Sequence, residues 1–332
     1  MEELITLDYG SGGKKTSALI ENLILPLLDN SVLAQLGDGA VLPGGEQLVF
    51  STDSFVVSPR FFPGGNIGKL AVCGTVNDVA MSGGEPRWLS LSLIIEEGLP
   101  VSELREILTS LAETAKAAGV SIVTGDTKVV EKGRGDGIYI NTAGIGLLRR
   151  PGLHPRAIRP GDKVLVSGTV GDHGAAVMLA RNPHLVQGEL KSDCAPLHRL
   201  AAALYGLEGL RVLRDPTRGG VATTLCEFVE DTELSILLEE EALPVRPSVT
   251  AACEILGLDP LYCANEGKLL AVVAPEQAEQ ALALLRSLPE GENAAIIGTV
   301  NDRFPGRVAV RTPLGGTRIA AKLAGAQLPR IC

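Results

Sequence analysis

Arg149-Arg150-Pro151-Gly152-Leu153-His154-Pro155-Arg156-Ala157-Ile158-Arg159-Pro160-Gly161 divides the chain. Pro fixes φ and lacks an N–H, and Gly admits turns that other residues resist, so no long helix or strand runs through this stretch. Patterned sequence lies on both sides of it. On the N-terminal side, Ala18, Leu19, Leu23, Ile24 and Leu27 recur at helical spacing within 14–28. Helices are also expected over 66–81 and 102–118, the latter with Ser102 as N-cap and Gly119 as its stop. Strands are expected at Leu48–Phe50, Leu89–Ile95, Val120–Thr124 and Ile138–Leu148. On the C-terminal side, strands are expected at 164–167, 235–238, 269–273, 294–300 and 307–311, with helices at 173–182, 195–205, 220–230, 248–256 and 275–287. Neither half shows a clean βαβ alternation. The expectation is α+β: two mixed α/β domains, 1–150 and 151–321, followed by a mobile tail, 322–332.

The composition narrows the function. The chain has 332 residues, long enough for two domains with cores of their own. Hydrophobic residues make up 45% and aromatics only 3%, so those cores are aliphatic. Thirty basic residues against 39 acidic give a net charge of -9, which argues against a nucleic-acid partner, because that needs a basic face. No basic, apolar leader and no long apolar run is present, so a cytoplasmic location without membrane attachment is expected. The six Cys (73, 194, 226, 253, 263 and 332) are scattered, without zinc-ligand spacing, and are expected to be reduced.

Five motifs are candidates for chemistry. Gly10-Ser11-Gly12-Gly13-Lys14-Lys15-Thr16 leads into a helix, where free N–H groups can meet an anion. It is not a Walker A motif: the Gly required five residues before Gly13 is Asp8. Asp38, Asp53, Asp78 and Asp126 are expected at turns, three of the four flanked by small residues. They read either as turn and cap residues or as hard oxygen ligands for Mg²⁺ on phosphates. Asp215-Pro216-Thr217-Arg218-Gly219-Gly220 reads either as a capped connection or as an anion-binding loop. Glu266, in Asn265-Glu266-Gly267-Lys268, is a surface turn residue or a general base. The tail Leu328-Pro329-Arg330-Ile331-Cys332 ends in a thiol. Its terminal carboxylate should raise the thiol pKa and Arg330 should partly offset that. Fully extended, the arm from Lys322 reaches at most about 35–40 Å. Of the His, His154 and His198 have no ligand partners at suitable spacing, and His173 reads as a capping or core residue.

Together these residues resemble the ATP-dependent superfamily of aminoimidazole ribonucleotide synthetase. The resemblance rests on the glycine-rich start, Gly37-Asp38-Gly39-Ala40, Thr52-Asp53-Ser54, Asn77-Asp78-Val79-Ala80-Met81-Ser82-Gly83-Gly84, Gly125-Asp126-Thr127-Lys128 and the 215–220 loop. Asn265-Glu266-Gly267 and the terminal Pro329-Arg330-Ile331-Cys332 resemble its hydrogenase-maturation branch, the HypE carbamoyl dehydratases. The resemblance implies a homodimer whose N-terminal domains pair into a shared β-barrel, with ATP at the barrel edge contacted by both subunits. It implies a HypF-type carbamoyltransferase that loads Cys332 and a HypC–HypD complex whose iron receives cyanide.

On that resemblance, ATP-dependent dehydration turns an S-carboxamide on Cys332 into a thiocyanate. Asp38, Asp53, Asp78 and Asp126 would hold Mg²⁺, while Gly12, Gly13, Lys14 or Lys15, Asp215, Arg218 and Gly219 would meet the nucleotide. Glu266 would be the base, with Lys128 beside it. The alternatives are a small-molecule kinase or synthetase of the same superfamily, of selenophosphate or thiamine-phosphate type, or a scaffold that only carries a modified Cys.

Overall fold

The computed structural model describes residues 4–10, 14–35, 40, 42–182, 184, 190–322, 328 and 330–332. Helices α1 (Lys14–Leu19) and α2 (Leu25–Leu28) flank a wider turn, Ile20–Ile24, and bury Leu19, Leu23 and Leu28. Strand β1 (Leu48–Phe55) is followed by the short hairpin β2 (Phe61–Phe62) and β3 (Gly65–Asn66). Helix α3 (Ile67–Met81) starts where the Asn66 side chain accepts from Gly68 N and Lys69 N, and it is buried on nearly every side. Then come β4 (Gly84–Glu96), α4 (Val101–Ala118), β5 (Ser121–Val130) and β6 (Ile138–Leu148). Helix α4 buries Leu104, Ile107, Leu108 and Leu111 at 3–4 spacing and stops at Gly119, which has φ 69°. Its N-cap is Pro100 rather than the expected Ser102.

These strands form one sheet in the order β1-β6-β4-β5, antiparallel except for β4–β5. Helix α3 packs against β1, β4 and β6 on one face, and α4 packs on α3. The opposite face exposes Leu48, Phe50 and Ile94. Among the described residues the sheet stays open, so no closed barrel exists within one chain.

The second half holds β7 (Lys163–Val166), α5 (Asp172–Arg181), α6 (His198–Leu204), β8 (Leu210–Arg214), α7 (Gly220–Val229), β9 (Ser235–Glu239), α8 (Pro247–Leu256), β10 (Leu270–Val273), α9 (Ala278–Arg286), β11 (Ala295–Asn301), β12 (Val308–Arg311) and β13 (Thr317–Ala320). Strands β8 and β13 were not apparent as sequence patterns. The sheet order is β13-β12-β9-β11-β7-β10-β8. Val221, Leu225 and Phe228 of α7 share one core with this sheet, and Leu200 and Leu204 of α6 share another with Leu285 of α9. No helix among the described residues is long and apolar enough to cross a membrane.

The two halves are joined by specific bonds. Tyr205 Oη donates to Ala80 O at 2.6 Å and to Gly84 O at 3.0 Å. Asn77, buried on α3, accepts from Leu197 N at 2.7 Å and donates to Ala195 O at 3.2 Å. This junction sets α3 against the segment that precedes α6, and Asn77 also reaches Glu266 O, before β10, at 3.5 Å.

Candidate active site

The expected turn positions of the acidic residues need correction. Asp53 lies inside β1, Asp126 inside β5 and Asp78 inside α3. Strands β1 and β5 continue through their small polar residues because partner strands pair with them: Asp53 is opposite Thr142, and Asp126 opposite Ser92.

Asp53 and Asp78 come together between β1 and α3. Ser51 Oγ donates to Asp78 Oδ2 at 2.9 Å, and Ser54 N donates to Asp53 Oδ1 at 2.7 Å. Burial raises the proton affinity of both carboxyls. For Asp78 the Ser51 bond opposes the rise and the charge of Asp53 adds to it. Arg218 draws Asp53 the other way. Asp215, at the end of β8, completes the acidic group. It is pushed up to about 7, first by burial and then by Asp78. Gly219 and Gly220 hold φ of 78° and 61°. A Cβ on Gly220 would stand 2.5 Å from Leu261 O and 2.6 Å from Cys263 O. Only glycine lets the Arg218 loop lie that close to the segment leading to Glu266.

Glu266 is 2% exposed, and its Oε1 has no hydrogen-bond partner. Burial raises its pKa well above the usual carboxylate range, reinforced by Cys194, Asp215, Asp193 and Asp53. The Cys332 thiol lies within electrostatic reach of Glu266. Burial pushes it up to about 12, and the charge of Glu266 is the next cause, with Arg218 opposing. The expected source of that rise was the terminal carboxylate, with Arg330 as the offset. Arg330 instead pairs with Asp136 at 2.6 Å.

The end of the tail is seated rather than free. Val56 N donates to Cys332 O and Ser58 N donates to Arg330 O, both at 3.1 Å. Arg181 Nη2 also donates to Arg330 O, at 2.6 Å. His173 Nε2 lies 2.8 Å from Ile331 O. A carbonyl only accepts, so Nε2 carries the proton, and Nδ1, 2.8 Å from Ser192 Oγ, accepts from that hydroxyl. Burial lowers the His173 pKa, consistent with this neutral form. The Phe62 ring meets His173 edge-on at 5.3 Å. Ile331 is 2% exposed.

The expected site residues are therefore distributed unevenly. Asp53, Asp78, Asp215, Arg218, Glu266 and Cys332 converge. Asp126 and Lys128 pair with each other at 2.8 Å and are both more than half exposed. Strand register places Asp126, Ser92, Asn141 and Ser54 on one face, so Asp53 faces the other way. Within one chain Lys128 thus does not flank Glu266; the lysine near Glu266 is Lys268. Lys15 Nζ donates to Thr6 Oγ1 at 3.3 Å and lies over the Tyr9 ring. Gly12, Gly13, Asp38 and the Lys14 side chain lie outside the described residues. Among the described residues no group of three or more His, Cys, Asp or Glu is arranged to hold a metal ion. Still, Asp53 and Asp78 raise each other's cost of ionisation, and a divalent cation with phosphates would relieve that cost. The sequence did not single out Asn77, His173, Arg181, Ser192, Asp193 or Lys268 as site residues. Only their contacts reveal them.

Comparison with known proteins shows the family. The family model for AIR synthase related protein, N-terminal domain, matches residues 36–148, and that for the C-terminal domain matches residues 159–311. Carbamoyl dehydratase HypE of Cupriavidus necator is 49% identical over 332 residues, covering 99% of this chain and 95% of that protein. A crystal structure of the hydrogenase maturation protein HypE in complex with ATP superimposes with a TM-score of 0.94 at 48% identity, covering 98% of this chain and 99% of that one. HypE in a HypE–HypF complex superimposes with a TM-score of 0.80 at 50% identity, covering 92% and 100%.

Proposed function

The chain belongs to the AIR synthase related family and, within it, to the HypE carbamoyl dehydratases; from that premise we propose that it converts an S-carboxamide on Cys332 to a thiocyanate at the expense of ATP. One observation carries the reading: the charge of Glu266, a buried residue whose Oε1 has no partner, acts on the Cys332 thiol, together with those of Asp53 and Asp215.

The balance is simple. The carbamoyl oxygen attacks the γ-phosphorus of ATP and ADP leaves. Loss of both amide protons and of phosphate then gives the nitrile carbon on sulfur. Oxide is a poor leaving group and phosphate a good one, so phosphorylation makes the water loss possible. Glu266 takes an amide proton, and its raised pKa makes its carboxylate a stronger base than an ordinary one. The seated tail holds the carbonyl and nitrogen of the carbamoyl group near that base. Asp53 and Asp78 would hold Mg²⁺, which would neutralise phosphate charge, with Asp215 and Arg218 at its margin.

The exposed Leu48, Phe50 and Ile94 fit burial by a second copy across the N-terminal sheet. In that homodimer the two sheets would close a shared barrel, with the nucleotide at its edge. Asp126 and Lys128 lie on the face so covered and are proposed to act there across the interface, together with Asp38, Gly12, Gly13 and Lys14 or Lys15. A HypF-type enzyme would load the tail, and iron on a HypC–HypD complex would take the cyanide. In a reduced cytoplasm Cys332 stays a thiol between cycles.

The test is intact mass of the carbamoylated protein before and after Mg-ATP. The expected result is loss of one water, absent in Glu266→Gln and with no loading at all in Cys332→Ala. Dehydration at another residue in Cys332→Ala would refute the carrier role. Activity indifferent to deletion of the last residues would favour a small-molecule kinase.

A further inference from the structure

Asp193 lies outside the acidic group of the site, yet its side chain meets the Glu266 segment directly. Its Oδ1 accepts from Glu266 N at 3.1 Å. Its Oδ2 pairs with Lys268 Nζ at 3.3 Å, and its side chain is 2% exposed. The two backbones are in contact: a Cβ on Gly267 would stand 1.8 Å from Asp193 O. Ala195 N donates to Glu266 O at 3.3 Å, closing the apposition from the other side. The preceding residue, Ser192, meets His173, which holds the Ile331 carbonyl. One short segment, 192–195, therefore touches both the base and the clamp on the tail.

We propose that Asp193 is a positioning residue for Glu266: its carboxylate, fixed by Lys268, holds the Glu266 backbone against the seated tail. This rests on the reading of Glu266 as the base. A buried carboxylate that only balanced Lys268 would not need to accept from Glu266 N. A displaced base loses rate steeply, because proton transfer depends on sub-ångström placement. The charge of Asp193 also reaches Glu266, together with Cys194, Asp215 and Asp53. Arg218 opposes the acidic charges at the Cys332 thiol.

Two variants separate placement from charge. Asp193→Asn keeps an oxygen to accept from Glu266 N and removes the charge. Asp193→Ala removes both. The assay is single-turnover water loss from the carbamoylated full-length protein at saturating Mg-ATP, followed across pH, with the ATP KM measured in parallel. Asp193→Ala is expected to slow dehydration on the order of tenfold to a hundredfold, with ATP KM changed by less than about twofold. Asp193→Asn is expected to recover most of the rate at high pH, with the acid limb moved to lower pH. Equal loss in both variants with an unmoved pH profile, or wild-type rates in both, overturns the proposal. Glu266→Gln is run alongside: wild-type dehydration in that variant overturns the base assignment itself, a failure distinct from that of Asp193.

Discussion

Replacing Asp215 by Asn should stabilise the unliganded protein at neutral pH. Asp215 is 7% exposed, and burial, reinforced by Asp78, pushes its carboxyl up to about 7 from the ordinary 3.8. Below the ordinary carboxylate pKa both the folded and the unfolded chain hold the proton, so the site costs nothing. Between that value and about 7 the unfolded chain has lost the proton and the folded chain keeps it, so stability falls as pH rises. The slope is about 1.4 kcal/mol per pH unit, and the total is on the order of 4 kcal/mol above neutrality. Asparagine carries no such penalty and preserves the backbone turn, in which Thr217 N donates to Asp215 O at 3.0 Å. The assay is urea unfolding of wild type and variant, without metal or nucleotide, at about pH 5 and about pH 8. The stability gap between the two proteins should widen by roughly 2–3 kcal/mol from the lower to the higher pH. A gap equal at both values would refute the burial argument. Nucleotide binding should weaken in the same variant, because the stored charge cost is what a bound cation would relieve.

Other perturbations follow the same logic. Asn77→Ala leaves Leu197 N without its acceptor and should cost about 2–3 kcal/mol, seen as a lower thermal midpoint. Ile331→Ala should weaken tail seating by about 2–4 kcal/mol; faster hydrogen exchange at the Val56 and Ser58 amides, without change in β6, is the readout. Dehydration by the loaded wild type should rise with pH, its acid limb lying above that of an ordinary carboxylate because Glu266 must be ionised to act and its pKa is raised. Gly220→Ala should destabilise by a few kcal/mol, measured by denaturant midpoint, since the new Cβ meets Leu261 O and the backbone holds φ 61°.

Much of the fold was legible because its signals are local. The 3–4 spacing of Leu104, Ile107, Leu108 and Leu111 and the stop at Gly119 mark α4 without any tertiary knowledge. Strands β8 and β13 are short, are interrupted by Arg211, Arg214 and Arg318, and exist only because neighbouring strands pair with them. The same reason explains the error over Asp53 and Asp126: small polar residues read as turns until a partner strand carries the ladder through them. Glu266 and Cys332 were recognisable from motif resemblance, although nothing local says that they meet. Asp193 was beyond reach. A Ser-Asp step in unpatterned sequence reads as a loop, and its contact with Glu266 joins residues 73 positions apart.

The seat of the tail has a consequence for traffic. Besides the Ile331 side chain and the Arg330 side chain, which pairs with Asp136 and donates to Val56 O, the grip is on main-chain oxygens: Arg330 O, Ile331 O and Cys332 O. Those atoms are the same whether the sulfur is bare, carbamoylated or cyanated. The seat therefore recognises the strap and not the parcel, and it binds empty carrier as readily as full. Discrimination between cargoes falls to the small volume around Sγ. On the proposed reaction, an empty tail would be a competitive occupant of its own active site, and turnover would depend on how fast a loading enzyme finds it unseated.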